Sequence, residues 1–281
     1  MNILKKILFL FIVVIIMVPP VYATDSAKEL RWANQVVEFL VEGEPHWLKA
    51  GGRNFLGIYS PATTVEPAGA VIILHGRGVH PNWPQVIQPL RTELPNLGWA
   101  TLSLQMPVLS NGANVQEYVP LFSGVPTRIL AGLDFLTKQH HKQVILIGHG
   151  LGTNMATDFL ANNHEPRIKA FVGIGMMGNR QTNEYLELDN VAALLRLKVP
   201  VLDVYGSRST EQVLSSVDRR AYAVYQARDD NSLQIEVKGA NQFFQGYETQ
   251  LVNTIASWMS ELSNLKEANK LVSSDNQPNS K

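Results

Sequence analysis

The chain has 281 residues, no cysteine, and 24 basic against 24 acidic side chains. Its length suits one α/β domain with a large buried core, and the lack of cysteine excludes a fold that depends on disulfides. The balanced charge, without any basic run, argues against nucleic acid as a partner.

The first residues have the pattern of a secretory signal peptide. Lys5 and Lys6 precede an apolar run over residues 7–18, which two prolines and the small-residue site Val21-Tyr22-Ala23 follow. This run falls short of the roughly 20 apolar residues that span a bilayer, so we predict cleavage after Ala23 rather than a membrane anchor. No cysteine follows that would carry a lipid. The sequence therefore predicts a periplasmic or secreted protein without a stable membrane span after cleavage.

Beyond this leader, strands alternate with helices. An amphipathic helix over 27–41 comes first, and Gly51-Gly52 marks the turn of a hairpin. Six further strands are apolar at consecutive positions, as in a sheet covered on both faces: 69–76, 99–107, 143–150, 168–175, 199–206 and 233–240. Helices with apolar residues three and four apart are predicted at 84–95, 125–138, 152–163, 187–196, 213–228 and 247–262.

This pattern predicts one α/β domain, with a mostly parallel sheet of about eight strands flanked by helices and preceded by an antiparallel hairpin. The stretch 263–281 loses the apolar periodicity and ends in polar residues. A disordered tail is favoured there, and a recognition peptide is the alternative. The expected organisation is a signal peptide over 1–23, the domain over 24–262 and the tail over 263–281.

Residues 146–156, LIGHGLGTNMA, have the strand-turn-helix layout of a nucleophile elbow. The central position, where a serine nucleophile is expected, holds Gly150. An elbow gives its central residue a positive φ, which destabilises a non-glycine residue by about 1 to 3 kcal/mol. Glycine is therefore the residue that the turn itself favours when no reactive side chain is needed.

The hairpin before a parallel sheet, His-Gly after the third strand and the elbow after the fifth together resemble the α/β-hydrolase superfamily. The resemblance covers nearly all of the chain beyond the leader. More narrowly, HGRGVHPNWPQVIQPLRTELPNLGWATLSLQMP, residues 75–107, resembles a family of secreted bacterial proteins known only as a domain of unknown function. The resemblance implies an α/β-hydrolase-like fold and supplies no established substrate.

The same resemblance implies where a serine, an acid and a histidine would stand in a catalytic triad. These positions hold Gly150, Ser209 and Gln242. No histidine occurs after His164, so the part of the chain from which this fold supplies its base has no imidazole. Neither glycine nor glutamine can act as nucleophile or base, and we predict that the triad cannot be assembled.

The oxyanion half of such a site is still present in the sequence. The resemblance places the N–H of Leu151 beside the Gly76-Arg77 segment, which gives a small anion-friendly pocket at the carboxyl edge of the sheet. Two interpretations of Arg77 stay open. It binds a carboxylate or phosphate, or it is a solvated side chain in a loop that must turn tightly.

Three further side chains are candidates for chemistry. His75 and His149 end neighbouring strands, but a zinc site needs at least three protein ligands and no third is evident. We therefore favour a structural role for both and expect no metal and no cofactor. Asp203 lies inside an apolar strand, so its carboxylate must be paired or shifted in pKa, and a hydrogen bond to a nearby loop is expected.

These observations favour a non-catalytic protein of the bacterial envelope. It would bind an unknown small-molecule or lipidic ligand, or an envelope protein, in the cleft lined by His75, Gly76, Arg77, His149 and Leu151. One alternative is an esterase-like hydrolase that uses a non-standard set such as His75, His149 and Asp203. Another is a scaffold whose surface or tail carries the interaction. Residues 108–126 lie where these folds carry a lid, so the sequence does not tell an open cleft from a closed one.

Overall fold

An eight-stranded sheet forms the centre of the computed structural model, which describes residues 24–178, 188–226 and 231–275, with side chains up to residue 263. Its order is β1-β2-β4-β3-β5-β6-β7-β8, in which β1, β2 and β4 are joined by antiparallel pairing and β3 to β8 run parallel. The strands are β1 Glu44–Ala50, β2 Arg53–Ser60, β3 Gly69–Leu74, β4 Trp99–Leu104, β5 Val144–His149, β6 Ile168–Ile174, β7 Val201–Gly206 and β8 Leu233–Val237.

Helices cover both faces of this sheet. They are α1 Ser26–Glu38, α2 Ile87–Glu93, α3 Val115–Tyr118, α4 Val125–Lys138, α5 Leu151–Asn162, α6 Asn190–Leu194, α7 Glu211–Leu214, α8 Val217–Gln226 and α9 Glu248–Asp275, with 3-10 turns at Leu94–Leu97 and Val119–Gly124. Alternate residues of β3 pack into opposite cores, because side chains of a strand alternate between its faces. Ile72 packs with α4 and α5, whereas Ile73 packs with α2 and α9.

The antiparallel hairpin of β1 and β2 has the tight turn that the sequence predicts. Gly51 and Gly52 have φ values of 55° and 77°, and Ala50 is paired with Arg53 across them. Positive φ at both central residues defines a type I′ turn, whose twist matches that of the two strands. The helix α1 packs on the outer face of β2, where Ala33 and Val36 contact Leu56 and Ile58.

The predicted fold class is confirmed: the sheet is mostly parallel, has eight strands and follows an antiparallel hairpin. The segment 108–126 contains α3 and a 3-10 turn. The helical backbone of α9 continues to Asp275, past residue 262, where the sequence places the start of the tail. The division of the chain at that point stays a prediction, and the signal peptide lies outside the described residues.

One described stretch, Val115–Lys138, is long and apolar enough to cross a membrane by length and composition. Half of the residues in its most apolar part are buried, and its helix α4 contacts β1, β3 and β4. Ile129, Leu133 and Leu136 of α4 are fully buried in the core beside the sheet. The stretch is therefore accounted for as a core element of the α/β domain.

Candidate active-site cleft

The turn between β5 and α5 has the backbone of a nucleophile elbow. Gly150 has φ 54° and ψ −120°, and its N–H donates a hydrogen bond to the carbonyl of Ile174 at 3.1 Å. The N–H and hydroxyl of Thr153 both donate to the Gly150 carbonyl, at 3.0 and 2.6 Å. A Cβ placed on Gly150 would meet no atom within 4 Å. The elbow is thus held by its hydrogen bonds, and it faces open space.

Two neighbouring glycines are required for a different reason. A Cβ on Gly148 would lie 2.6 Å from the carbonyl oxygen of Gly152, and a Cβ on Gly152 would lie 2.3 Å from the carbonyl oxygen of Leu74. Those distances exclude any side chain, because both contacts are with main-chain atoms. Close packing of β5, α5 and β3 therefore fixes the elbow, whereas at Gly150 only the positive φ favours glycine.

The loop after β3 packs directly against the first turn of α5. A Cβ on Gly76 would lie 2.9 Å from the carbonyl oxygen of His149 and 3.4 Å from the backbone nitrogen of Leu151. Leu151 is the first residue of α5, so its N–H has no acceptor within the helix. The structure thus brings Gly76, Gly150 and Leu151 together at the positive end of a helix dipole.

Arg77 has a partner that the sequence does not indicate. Its guanidinium donates a hydrogen bond to the carbonyl of Ala113 at 2.7 Å, although the residue is exposed. Ala113 belongs to the 108–126 segment, so Arg77 links the loop after β3 to that segment. This contact leaves further guanidinium N–H groups, and the role of Arg77 in anion binding stays a prediction.

His75 is fully buried, and both of its nitrogens are hydrogen bonded. Nδ1 lies 2.9 Å from the carbonyl of Gly76, and Nε2 accepts the N–H of Met106 at 2.9 Å. These partners select the neutral ring with its proton on Nδ1. Burial, followed by smaller effects that include His149, lowers the pKa of His75 to about 3. His75 is therefore a neutral structural residue rather than a base.

His149 lies at the end of β5, next to Gly150, and is only 4% exposed. Its Nε2 lies 3.0 Å from the carbonyl oxygen of Gln242, which fixes the proton on Nε2. The other nitrogen, Nδ1, is buried and has no hydrogen-bond partner among the described residues. Burial lowers the pKa of this imidazole, and the hydrogen bond to the Gln242 carbonyl opposes that effect. His149 is accordingly neutral at pH 7, with one unpaired lone pair beside the elbow.

The loop after β8, where this fold carries its base, is packed against the elbow. The main-chain carbonyl of Gln242 accepts a hydrogen bond from the Nε2–H of His149. The ring of Phe243 lies edge-on to the same imidazole, with 5.8 Å between the ring centroids. Phe244 is fully buried with φ 52°, an uncommon value for a bulky residue. The structure thus brings Gln242 to the site, but its backbone rather than a titratable side chain contacts the histidine.

Ser209, which the sequence predicts at the acid position, is buried. Ser209 is 8% exposed, and its hydroxyl has no partner among the described residues. The preceding residue, Arg208, donates its N–H to the carbonyl of Ala240 at 2.8 Å, so the loop after β7 adjoins the loop that carries Gln242. The loops after β7 and β8 therefore meet through their backbones, and neither Ser209 nor Gln242 has an ionisable side chain.

Asp203 and Arg220 form a fully buried ion pair. Arg220 Nε donates to the carboxylate of Asp203 at 2.7 Å, and both side chains are 0% exposed. The same carboxylate oxygen accepts the amide of Gln234 at 2.8 Å. The expected loop hydrogen bond is thus wrong, because a helix supplies the partner.

The sequence contained a signal for this ion pair. Arg220 precedes the buried residues Ala223 and Val224 by three and four positions, so it lies on the buried face of α8. A basic residue on that face and a carboxylate in an apolar strand each need a partner of opposite charge. Arg220 therefore engages Asp203 through one carboxylate oxygen, Oδ2, and the other, Oδ1, has no hydrogen-bond partner among the described residues.

Within the described ranges, no group of three or more metal-ligating side chains occurs. A family model described as "Protein of unknown function (DUF3530)" matches residues 19–127 and 121–261. Among curated proteins, no match to the chain is found.

Solved structures show the fold that the chain shares. Est1E from Butyrivibrio proteoclasticus is 15% identical with a TM-score of 0.58, and it covers 78% of this chain and 98% of its own. An alpha-beta serine hydrolase homologue from Coxiella burnetii is 15% identical with a TM-score of 0.59 and the same coverage of both chains. A dienelactone hydrolase from Anabaena variabilis is 18% identical with a TM-score of 0.59, and it covers 78% of this chain and 98% of its own. At such identities the likeness establishes the α/β-hydrolase fold.

Proposed function

Since the chain belongs to the family described as "Protein of unknown function (DUF3530)" and has the α/β-hydrolase fold, we propose that it is a non-catalytic binding protein. Its ligand is a small or lipidic molecule, or a segment of an envelope protein, held in the cleft in front of Gly150. The proposal separates the shape of the site, which the backbone preserves, from the chemistry, for which the required side chains are missing.

The observation that carries this proposal is the contact between His149 and the loop after β8. In an enzyme of this fold that loop presents an imidazole to the elbow. Here it presents the carbonyl of Gln242, which accepts the Nε2 proton of His149 at 3.0 Å. His149 therefore points its one proton at the main chain, and no second imidazole follows residue 164 to take a proton from a nucleophile.

Binding is supported by what remains around the elbow. The space in front of Gly150 is open, and the N–H of Leu151 begins a helix of 12 residues. A free N–H at the start of a helix attracts carboxylate or carbonyl oxygens. Gly76 packs closely on this turn, since a Cβ placed on it would lie 3.4 Å from the Leu151 nitrogen, and this packing keeps the two loops in a fixed relation.

A thermal-shift titration tests the binding role. Octanoate, palmitate and monopalmitoyl glycerol serve as probes, because they combine an apolar chain with an oxygen acceptor. We expect at least one to raise the melting temperature of the unmodified protein and of Gly150→Ala, and to leave Gly150→Trp unaffected. The alanine variant is the matched control, since it adds the same strain at positive φ while keeping the cleft open. An equal response of all three proteins contradicts binding in the cleft, and no response to any probe contradicts a lipidic ligand.

We also propose that the protein acts outside the cytoplasm, after cleavage at Ala23. The apolar run and the small-residue site support this location. Mass spectrometry of the protein recovered from a periplasmic extract is expected to give a chain that begins at Thr24. A full-length chain recovered from the cytoplasmic fraction contradicts the assignment.

One observation favours a second function, hydrolysis through a non-standard residue set. The Nδ1 of His149 is unpaired, buried and adjacent to the open elbow. Against it, His75 has both nitrogens occupied and Asp203 is paired with Arg220. Turnover of an ester, thioester or amide that is lost in His149→Ala is the signature of this function.

A further inference from the structure

The hairpin leaves one long edge of the sheet open. β1 is the terminal strand, and among the described residues it pairs with β2 alone. A two-residue turn makes Ala50 and Arg53 a hydrogen-bonded pair, so Leu48 and His46 also direct their main-chain groups to β2. The intervening residues, Trp47 and Lys49, direct their N–H and C=O groups outward.

Pro45 fits the same alternation. It lies two residues before Trp47, so its nitrogen is on the outward side, where the missing N–H removes nothing from the pairing with β2. The proline also limits what can add to this edge, because a further strand finds no donor at that position. The open edge therefore has its full set of main-chain donors and acceptors at Trp47 and Lys49.

A groove runs along this edge. Its cavity of about 380 Å³ is lined by four consecutive residues of β1, His46 to Lys49, and by Ala131, Asp134, Phe135 and Lys138 of α4. Neighbouring residues of a strand point to opposite faces, so a cavity that touches four in a row must follow the strand edge. The four α4 residues have the spacing of one helix face, and they span about 10 Å. That length matches three to four residues of an extended chain, at about 3.3 Å each.

The groove has apolar walls, and one lysine lies on each face of the strand edge. The rings of His46 and Phe135 lie 4.6 Å apart, and Ala131 lies one helical turn before Phe135. Lys49 alternates with Leu48, whose side chain packs on the α4 side, so Lys49 and Lys138 carry their ammonium groups on opposite faces of the strand edge. Arg167 pairs with Asp134 at 2.7 Å and with Glu165 at 2.8 Å, so one guanidinium outside the groove offsets part of the charge of Asp134. The groove therefore suits a chain with apolar side chains on one face and acidic side chains nearby.

We propose that this groove binds an extended, acidic peptide segment of another protein, which adds as a strand to β1. Strand addition satisfies the open main-chain groups of Trp47 and Lys49 and gives affinity, while the α4 wall and the two lysines give specificity. A second copy of this chain fits less well, because pairing about a twofold axis brings the same two ammonium groups from each copy to one interface.

The groove is independent of the cleft at Gly150. Four strand intervals separate β1 from β5 in the sheet, a distance of roughly 19 Å at about 4.8 Å per strand. Failure of the binding function proposed for the cleft therefore leaves this inference standing, and the converse also holds.

Fluorescence anisotropy with two capped, fluorescein-labelled pentapeptides tests the proposal. The first is Val-Glu-Val-Glu-Val, and the second has lysine in place of glutamate. We expect saturable binding of the acidic peptide and binding weaker by about tenfold or more for the basic one. N-methylation of the amides that face β1 is expected to abolish binding. Absence of saturable binding of the acidic peptide up to about 1 mM overturns the proposal.

Variants locate the binding to the groove. Ala131→Trp fills it and is expected to weaken binding of the acidic peptide by about tenfold or more. Leu130→Trp is the matched control, because Leu130 is an exposed residue of α4 that does not line the groove. Equal binding by both variants overturns the proposal.

A second pair of variants separates the main-chain contact from the charge. Lys49→Ala removes the side chain beyond Cβ, including the ammonium group, whereas Lys49→Pro removes the ammonium group and also the outward N–H. We expect the proline variant to bind the acidic peptide more weakly than the alanine variant. Indistinguishable affinities contradict strand addition. A dimer in sedimentation equilibrium that Ala131→Trp abolishes and Leu130→Trp preserves overturns the assignment to a peptide and makes the edge a self-interface.

Discussion

The elbow at Gly150 and the loops that face it differ in what holds them. The elbow is fixed by main-chain packing, since neither Gly148 nor Gly152 has room for a Cβ. The facing loops, after β7 and β8, carry a buried serine and a glutamine whose carbonyl is bound to His149. The shape of an elbow is therefore a packing property of the sheet and its helix, whereas the triad is a separate set of side chains that can be replaced without disturbing that shape.

The loops that face the elbow depend most on the buried ion pair between Asp203 of β7 and Arg220 of α8. Arg220→Ala leaves Asp203 as an unpaired charge in a fully buried site. We expect a loss of about 3 to 5 kcal/mol in the free energy of unfolding, measured by urea denaturation. The double variant Asp203→Leu with Arg220→Met is expected to lose much less, because it leaves no charge behind. A loss below about 1 kcal/mol in Arg220→Ala contradicts the importance of the pair.

The packing that holds the elbow is tested by adding one methyl group at Gly152. Gly152→Ala places a Cβ 2.3 Å from the carbonyl oxygen of Leu74, so strand and helix must move apart. We expect destabilisation of about 3 kcal/mol in the same assay. Gly124→Ala is the control, since Gly124 has φ −90° and its Cβ would meet nothing within 4 Å. If the two variants are equally stable, packing does not hold the elbow.

Acid is expected to destabilise the protein through its buried histidines. The pKa of His75 is lowered to about 3 in the folded protein, against an ordinary value of 6.5 for histidine. The unfolded chain therefore binds a proton between these values that the folded protein excludes, so stability is complete above about pH 6.5 and falls as the pH decreases. One such group gives up to about 1.4 kcal/mol per pH unit, or roughly 2 kcal/mol at pH 5.

His149 adds to this loss with the same sign, because burial also lowers its pKa. Urea unfolding at pH 7 and pH 5 measures the combined effect. The variant His75→Gln is expected to show a smaller difference between the two pH values. An equal difference in the variant means that His75 is not the group that titrates.

The smallest effect is expected at the elbow centre itself. Gly150→Ser keeps the open space but gives a non-glycine residue φ 54°, and we expect a loss of about 1 to 2 kcal/mol. No hydrolysis of p-nitrophenyl butyrate is expected to appear, because the loop after β8 carries no imidazole and His149 donates its proton to the Gln242 carbonyl. Gly150→Ala controls for the backbone strain. A gain of turnover in the serine variant alone contradicts the proposed absence of a base.

The sequence predicts the fold well because hydrophobic periodicity depends on residues that are close together in the chain. The helix at 125–138 and the strands from β3 to β8 follow from apolar spacing, and Gly51-Gly52 predicts a turn that the structure contains. Contacts between residues that are far apart in the chain are harder to predict from the sequence. The link from Arg77 to Ala113 and the ion pair of Asp203 with Arg220 join residues 36 and 17 positions apart, and only the packed sheet brings them together.

The candidate site shows the same limit. The missing histidine can be counted in the sequence, but the use of His149 to anchor the Gln242 carbonyl depends on a contact across 93 positions. The groove along β1 was not predicted at all. Its signal was an edge strand that carries Pro45 and Lys49, the residues with which natural sheets protect an open edge.

The most direct test of the central claim is steady-state hydrolysis of p-nitrophenyl butyrate by the purified protein, beside its His149→Ala variant. With no imidazole after His164 and with His149 bound to a main-chain carbonyl, we predict a rate equal to that of heat-denatured protein for both. Saturable turnover by the unmodified protein that disappears in His149→Ala would show that the cleft has kept a working base, and it would contradict the account.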